Sequence, residues 1–168
     1  GIYDAERNTY VRTAEITTEI SRTRTFSYTG IDMLGEHQNA LVYQGVKDDG
    51  TSVLAIYMMR KERNKIELAQ IGDFESDGTI FIQQDDRSMS YELSQSRGES
   101  FPVWVYSSAK DSGSGENANL SQIQTEYRWN EKEQKYVETR QVRVTGSRIA
   151  ARELARIQDG TVETFADF

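Results

Sequence analysis

The sequence contains no cysteine, one proline and one histidine in 168 residues. The first absence removes disulfides and thiolate chemistry, whether for cross-linking, metal binding or nucleophilic attack. With His37 as the single imidazole, a zinc centre would have to draw all its other ligands from carboxylates, against the usual preference for nitrogen and sulfur. His37 sits in a polar stretch, Glu36-His37-Gln38-Asn39, and reads as a surface turn residue. A Ser–His–Asp triad assembled in space remains open, yet no Gly-x-Ser-x-Gly elbow supports one. No Walker loop or dinucleotide fingerprint is present either.

Long apolar runs are missing too, and none approaches the roughly 20 residues of a membrane-spanning helix. Positive charge is scarce: 20 Lys and Arg stand against 27 Asp and Glu, a net charge of −7. A phosphate backbone or an anionic membrane surface is therefore not the expected partner, because both require clustered Lys and Arg. The one basic run, Arg60-Lys61-Glu62-Arg63-Asn64-Lys65, is diluted by Glu62 and reads as a solvated turn or strand end. The chain opens on Gly1 rather than Met, which we read as a processed or partial chain with any targeting segment out of view.

What the sequence does hold is β chemistry. Nine Tyr, six Phe and two Trp suit half-buried sheet faces. Residues 25–145 read as short strands separated by turns. Strands are expected over 26–34 and 40–46, then Asp49-Gly50 signals a hairpin turn of type I′. Residues 52–60 carry apolar side chains on both faces (Leu54, Ile56 and Met58 against Val53, Ala55 and Tyr57), the pattern of a central strand covered on both sides. Further strands are expected over 65–71, 79–83, 90–95 and 101–106, with Asp85-Asp86-Arg87-Ser88 as a polar turn before the third and Pro102 at the start of the last, where a lost ladder donor is tolerated. Residues 110–119 are rich in Ser, Gly, Asn and Asp and read as a long loop. Ile123, Thr125, Tyr127 and Trp129 alternate with polar residues, predicting a strand with one wet face, and 136–144 returns beyond a polar turn. Residues 1–24 are Thr- and Glu-rich, with a strand expected over 13–20.

The pattern changes in 146–168. Ser147 suits a helix N-cap, and Ala150, Leu154 and Ile157 share one helical face before Asp159-Gly160 ends it. Thr161 suits the cap of a second short helix bearing Val162 and Phe165, and this tail is expected to pack outside the β module or lead into a further domain. The fold class is thus all-β, built of antiparallel hairpins as a propeller-like repeat fragment or a β-sandwich, with a C-terminal amphipathic helix.

Two segments share a strand that runs into an acidic turn, and their aspartates, Asp32 and Asp73, lie 41 residues apart, a spacing within the range of propeller blades. The second, Gly72-Asp73-Phe74-Glu75-Ser76-Asp77-Gly78, resembles the calcium-loop repeats of FG-GAP and VCBS-type β-propellers, whose signature is a Gly-Asp-Phe-x-x-Asp-Gly turn between two strands. Tyr127-Arg128-Trp129-Asn130, followed by Lys135-Tyr136-Val137, is similar to the last hairpin of bacterial proteins with such repeats. The resemblance implies a calcium site formed by Asp73, Glu75 and Asp77, with Thr79 lending its backbone carbonyl. The physical basis is that Ca²⁺ takes roughly six to eight oxygen ligands and alternate loop positions converge on one point. Phe81 and Gln84 stand where the loop pattern places further ligands, and the Asp32 copy keeps only Asp32 and Glu36. The other reading of both segments is as Asp turns held by side-chain-to-backbone hydrogen bonds.

The chain's style, including Ala151-Arg152-Glu153-Leu154-Ala155, also resembles spirochaete envelope proteins of the pallilysin-related adhesin family. No His-Glu-x-x-His motif is present, so the resemblance brings no protease activity. What it implies is a non-enzymatic, extracytoplasmic binding or scaffolding module of a bacterial envelope protein, with a protein or glycan partner. A calcium-stabilised structural repeat is the first alternative. A carboxylate-dependent hydrolase is the second, although 27 acidic residues leave no particular pair marked out for it.

Overall fold

A computed structural model describes residues 1–63, 65–87, 98–109 and 121–145, together with the backbone of 162–164. Every strand pairing in it is antiparallel. A small hairpin of β1 (Ile2–Asp4) and β2 (Thr9–Val11) opens the chain. A four-stranded meander follows, made of β3 (Ser27–Ile31), β4 (Ala40–Val46), β5 (Ser52–Glu62) and β6 (Lys65–Ser76), in that spatial order. A second meander holds β7 (Ile80–Gln83), β8 (Val103–Ala109), β9 (Ser121–Asn130) and β10 (Lys135–Thr145). There β11 (Val162–Thr164) returns to pair with the free side of β7, giving the order β10-β9-β8-β7-β11.

The two large sheets share one core. Val42, Leu54, Ile56, Met58, Ile71 and Phe74 from the first meet Ile80, Ile82, Val103, Val105 and Tyr136 from the second. Phe74 sits at the centre of the contact, its ring edge-on to Tyr127 at 5.0 Å and to Tyr136 at 6.3 Å between centroids. Edge-to-face geometry of this kind adds stabilisation beyond the apolar area buried.

β5 lies between β4 and β6, as its two apolar faces require. Leu54, Ile56 and Met58 enter the shared core, while Val53, Ala55 and Tyr57 face the other way under the N-terminal segment. That segment corrects the strand expected over 13–20. Its chain crosses the outer face of the first sheet instead of pairing at an edge, so it finds no ladder partner. Ile16 and Ile20 pack down on Tyr43, Val53, Ala55 and Tyr57. The strap is tied at its end by Arg22 N–H to Val46 O at 3.1 Å and by Asp48 N–H to Ser21 Oγ at 2.7 Å.

Gly45 makes room for the strap, because a Cβ there would stand 2.4 Å from Ile20 Cγ2. Gly45→Ala is expected to lift the strap at a cost of about 1–3 kcal/mol, the usual range for overpacking. In an Ile20→Ala background the same change should cost clearly less, since the atom it strikes is gone. A double-mutant cycle read by urea denaturation checks this, and purely additive costs would contradict it.

Four further expectations change. The turn after β4 is closed by Gly50 N–H to Lys47 O at 3.0 Å, and only Gly50 (φ +87°) is left-handed, so it is not type I′. Asp49 keeps a negative φ and accepts the Thr51 N–H at 2.9 Å instead. β6 runs through Asp73 to Ser76, so the strand continues where an acidic turn was expected. Val162–Thr164 is strand rather than the short helix expected after Thr161. The expected wet face of β9 is wet only in part, with Gln124 and Glu126 buried and Arg128 exposed. The helix expected from Ser147 and the strand expected over 90–95 lie outside the described residues, as does the loop expected over 110–119.

Candidate functional sites

The acidic segment comes first, because the calcium expectation rests on it. Within β6, Asp73 and Glu75 point outward while Phe74 and Ser76 point inward, the ordinary alternation of a strand. Lys47 Nζ bridges Glu75 at 2.6 Å and Glu19 of the strap. Asp77 and Gly78 lie in the bend that follows, where Asp77 Oδ1 accepts the Ser108 N–H at 2.9 Å. Ser76 Oγ accepts the Gly78 N–H at 3.0 Å and donates to Tyr106 O at 2.6 Å. Thr79 contributes its carbonyl to Tyr106 N–H at 2.8 Å. Strand geometry thus sends Asp73 and Glu75 one way while the bend anchors Asp77 on β8. Among the described residues no three acidic or histidine side chains gather around a point that would hold a metal ion.

The Asp32 segment is a turn closed by its own side chain. Asp32 Oδ1 accepts the Glu36 N–H at 3.1 Å and Oδ2 the His37 N–H at 3.0 Å, with His37 in the left-handed region at φ +61°. Asp32 and Asp73 therefore occupy different places in the fold, one beyond a strand end and the other inside a strand.

Asp73 carries an electrostatic penalty. Partial burial raises its pKa, and repulsion from Glu75 and Glu19 adds to this, with Lys47 opposing. An acid whose pKa is higher in the fold than in the unfolded chain weakens the fold once it is ionised, and the penalty vanishes on protonation. Asp73→Asn should therefore raise the melting temperature at pH 7 by roughly 1–3 °C, in keeping with a partly screened surface charge. The difference should disappear near pH 3, and equal shifts at both pH values would contradict the assignment. Beside Asp73, burial and a hydrogen bond with Tyr43 push the Tyr57 hydroxyl up to about 12, where it stays protonated.

Aromatic rings extend across the same outer face. Tyr43 stacks on Tyr57 at 5.9 Å, Phe26 lies 6.1 Å from Tyr43, and Tyr28 lies 6.3 Å from Phe26. The inner rings are covered by the strap, but Phe26 is 41% and Tyr28 72% exposed. Tyr28 belongs to β3, which among the described residues pairs only with β4 and forms an exposed edge of the first sheet.

Two charged clusters were not visible from sequence. Arg87, read as part of a polar turn, is buried with only 5% of its side chain exposed. Its guanidinium donates to the carbonyls of Asp32, Met33 and Glu99 and lies 3.4 Å over the Phe101 ring. On the outer face of the second sheet, Glu126 is held by Arg128 Nε at 2.5 Å, Thr139 Oγ1 at 3.0 Å and Arg140 Nη2 at 3.0 Å. Burial alone would raise the Glu126 pKa, but the hydrogen bonds and positive charges of these partners more than offset it and hold the carboxyl below its ordinary value. Its stabilising effect is in place above the unfolded carboxyl's pKa of about 4.3 and fades as pH falls below that. A signal for this cluster existed, since Glu126 and Arg140 lie across the hairpin expected around 130–134. The β-bulge between Glu138 and Arg140 hid it: regular pairing would set Thr139, not Arg140, opposite Glu126.

No protein-family profile, curated protein or solved structure matches this chain.

Proposed function

We propose that this chain is a non-enzymatic binding module of a bacterial envelope protein, exposed outside the cytoplasm and acting as an adhesin toward a protein partner. The observation that carries this reading is the edge strand β3. It joins a backbone edge that no other described strand pairs to two exposed aromatic rings, Phe26 and Tyr28. An open strand edge offers main-chain hydrogen bonds that an extended protein segment satisfies by strand addition. Neighbouring aromatic rings supply large contact area at low entropic cost, which is why Tyr and Phe are enriched at protein interfaces. A glycan would use the rings but not the edge, so the pair of features favours protein.

The repeat-fragment reading draws support from the succession of two four-stranded meanders that begin at Ser27 and Ile80 and share one core. Such units are what propeller-like arrays repeat.

The test is binding of the intact chain to a panel of immobilised extracellular-matrix proteins, compared with a Phe26→Ala/Tyr28→Ala variant. At least one partner should bind wild type and lose roughly 10-fold or more in affinity on the double substitution, as expected when aromatic anchors are removed. Flat responses across the panel, or binding indifferent to the substitutions, would remove this reading.

A further inference from the structure

The second sheet carries a cationic centre in a chain whose net charge is −7. Register places Phe81, Trp104, Glu126 and Arg140 in one row across four strands. Arg128, two residues along β9, joins Glu126 from the same face. One carboxylate, 7% exposed, is thus shared by two guanidinium groups whose side chains are 46% and 59% exposed. The triad keeps a net positive charge. Each guanidinium has five N–H donors in a rigid fork. Among the described residues, Arg128 gives only Nε–H, and Arg140 only one Nη2 bond, to a protein acceptor.

The remaining donors face solvent from fixed positions. Glu126 anchors both arginines from below, Thr139 holds Glu126, and Arg140 is steadied 5.1 Å over the Trp104 ring. Trp104 is itself fixed by its Nε1–H to Gln83 Oε1 at 2.8 Å, while Gln83 Nε2 occupies the carboxylate of Asp85 at 3.2 Å. An exposed ion pair normally holds a long side chain loosely and contributes little. Here a buried, ionised acid pre-orients two cations whose outer donors meet no acceptor among the described residues, the arrangement that favours bidentate capture of an oxyanion.

We propose that Arg128 and Arg140, pre-oriented by Glu126 beside Trp104, form a binding site for an oxyanion group, sulfate, phosphate or carboxylate, carried by a ligand of this domain. The site lies on the other sheet from β3 and does not depend on the adhesin reading. The general negative field of the chain opposes anions, so the site binds through local geometry and weakens as salt rises.

Trp104 and Trp129 are the only tryptophans, so a Trp129→Phe background makes Trp104 emission a direct reporter. Sodium sulfate, sodium phosphate and sodium acetate are titrated in turn at constant ionic strength. A saturable change with a midpoint in the millimolar range, roughly −4 kcal/mol for a 1 mM dissociation constant, is expected with at least one of them. Comparison among the three identifies the preferred anion geometry. Arg128→Met, which leaves the Arg140–Trp104 contact in place, should weaken the midpoint about 10-fold, as loss of a charge-assisted pair does. Lys132→Met removes the same charge from the distant turn and should leave the midpoint unchanged. Absence of saturation with all three anions would overturn the proposal. So would an Arg128→Met midpoint equal to wild type, or an equal loss on Lys132→Met, which would reveal only the general field. Far-UV circular dichroism of each variant, checked against wild type, keeps unfolding from mimicking lost binding.

Discussion

Replacing Arg87 by Ala is expected to destabilise the fold by about 3–5 kcal/mol, the range for breaking a buried charged network by removing one partner. For a chain of this length each kcal/mol moves the melting temperature by roughly 2–4 °C, so the transition should fall by on the order of 10 °C. The reason lies in what the guanidinium joins. It donates to Asp32 O, to Met33 O at 3.2 Å and to Glu99 O at 2.5 Å, with the Asp32 carboxylate 3.5 Å away. Asp32 and Met33 follow the edge strand of the first sheet, while Glu99 leads into β8 of the second. Met33 is fully buried, and Phe101 N–H donates to its carbonyl at 2.8 Å. Phe101 O in turn accepts the buried Tyr136 hydroxyl at 2.8 Å.

Removing Arg87 therefore strips donors from three carbonyls and the ring partner from Phe101. Arg87→Lys should recover little, because a single ammonium cannot reproduce the fork or lie flat on the ring. Arg87 Nε has no hydrogen-bond partner among the described residues, so the site already bears one unsatisfied donor and has little tolerance for further loss. Thermal melts of the three proteins decide the matter. An Arg87→Ala transition within about 2 °C of wild type, less than a single kcal/mol predicts, would show that the network is incidental.

Arg87 also marks where sequence reading stops. The strands with strict patterning were legible: β4 spans the expected 40–46, and the two-sided apolar run of β5 sits centrally with each face in its own cluster. Hydrophobic period and turn residues carry that information locally. Arg87 looked like a turn residue because nothing local distinguishes a solvated Arg from one buried against carbonyls of distant segments. The strap was misread for a related reason. Ile16 and Ile20 pack against a sheet face, and apolar spacing does not tell a strand at an edge from a chain laid across a face. At β6 the Gly-Asp-Phe motif matched a loop, yet pairing of Asp73 with Ala55 and Glu75 with Val53 extends the ladder through it. At Glu126 a bulge displaced the partner that regular pairing would have offered. In each case the deciding contact is long-range or depends on register, while the sequence pattern is local.

The second large effect concerns the same junction approached from its backbone. Gly35 has φ +71°, and a Cβ there would stand 2.3 Å from Gly98 O and 2.5 Å from Gly98 C. Its own carbonyl accepts the Gly98 N–H at 2.9 Å. Two costs meet at this position. A left-handed conformation penalises any L side chain by roughly 1–2 kcal/mol, and the clash is with backbone, which cannot rotate away as a side chain does. Overpacking of this kind costs about a further 1–3 kcal/mol. Gly35→Ala should therefore destabilise by about 3 kcal/mol, measured by urea denaturation. Because it pushes 98–101 away from the Asp32 turn, it also removes the seat on which Arg87 holds Met33 O and Glu99 O together. The Gly35→Ala/Arg87→Ala double variant should then lose less than the two single losses combined, by about 1 kcal/mol or more, as expected for residues acting through one contact network. Strict additivity would mean that the two residues hold different parts of the fold, and that Arg87 does not join the sheets through the Gly35–Gly98 bridge.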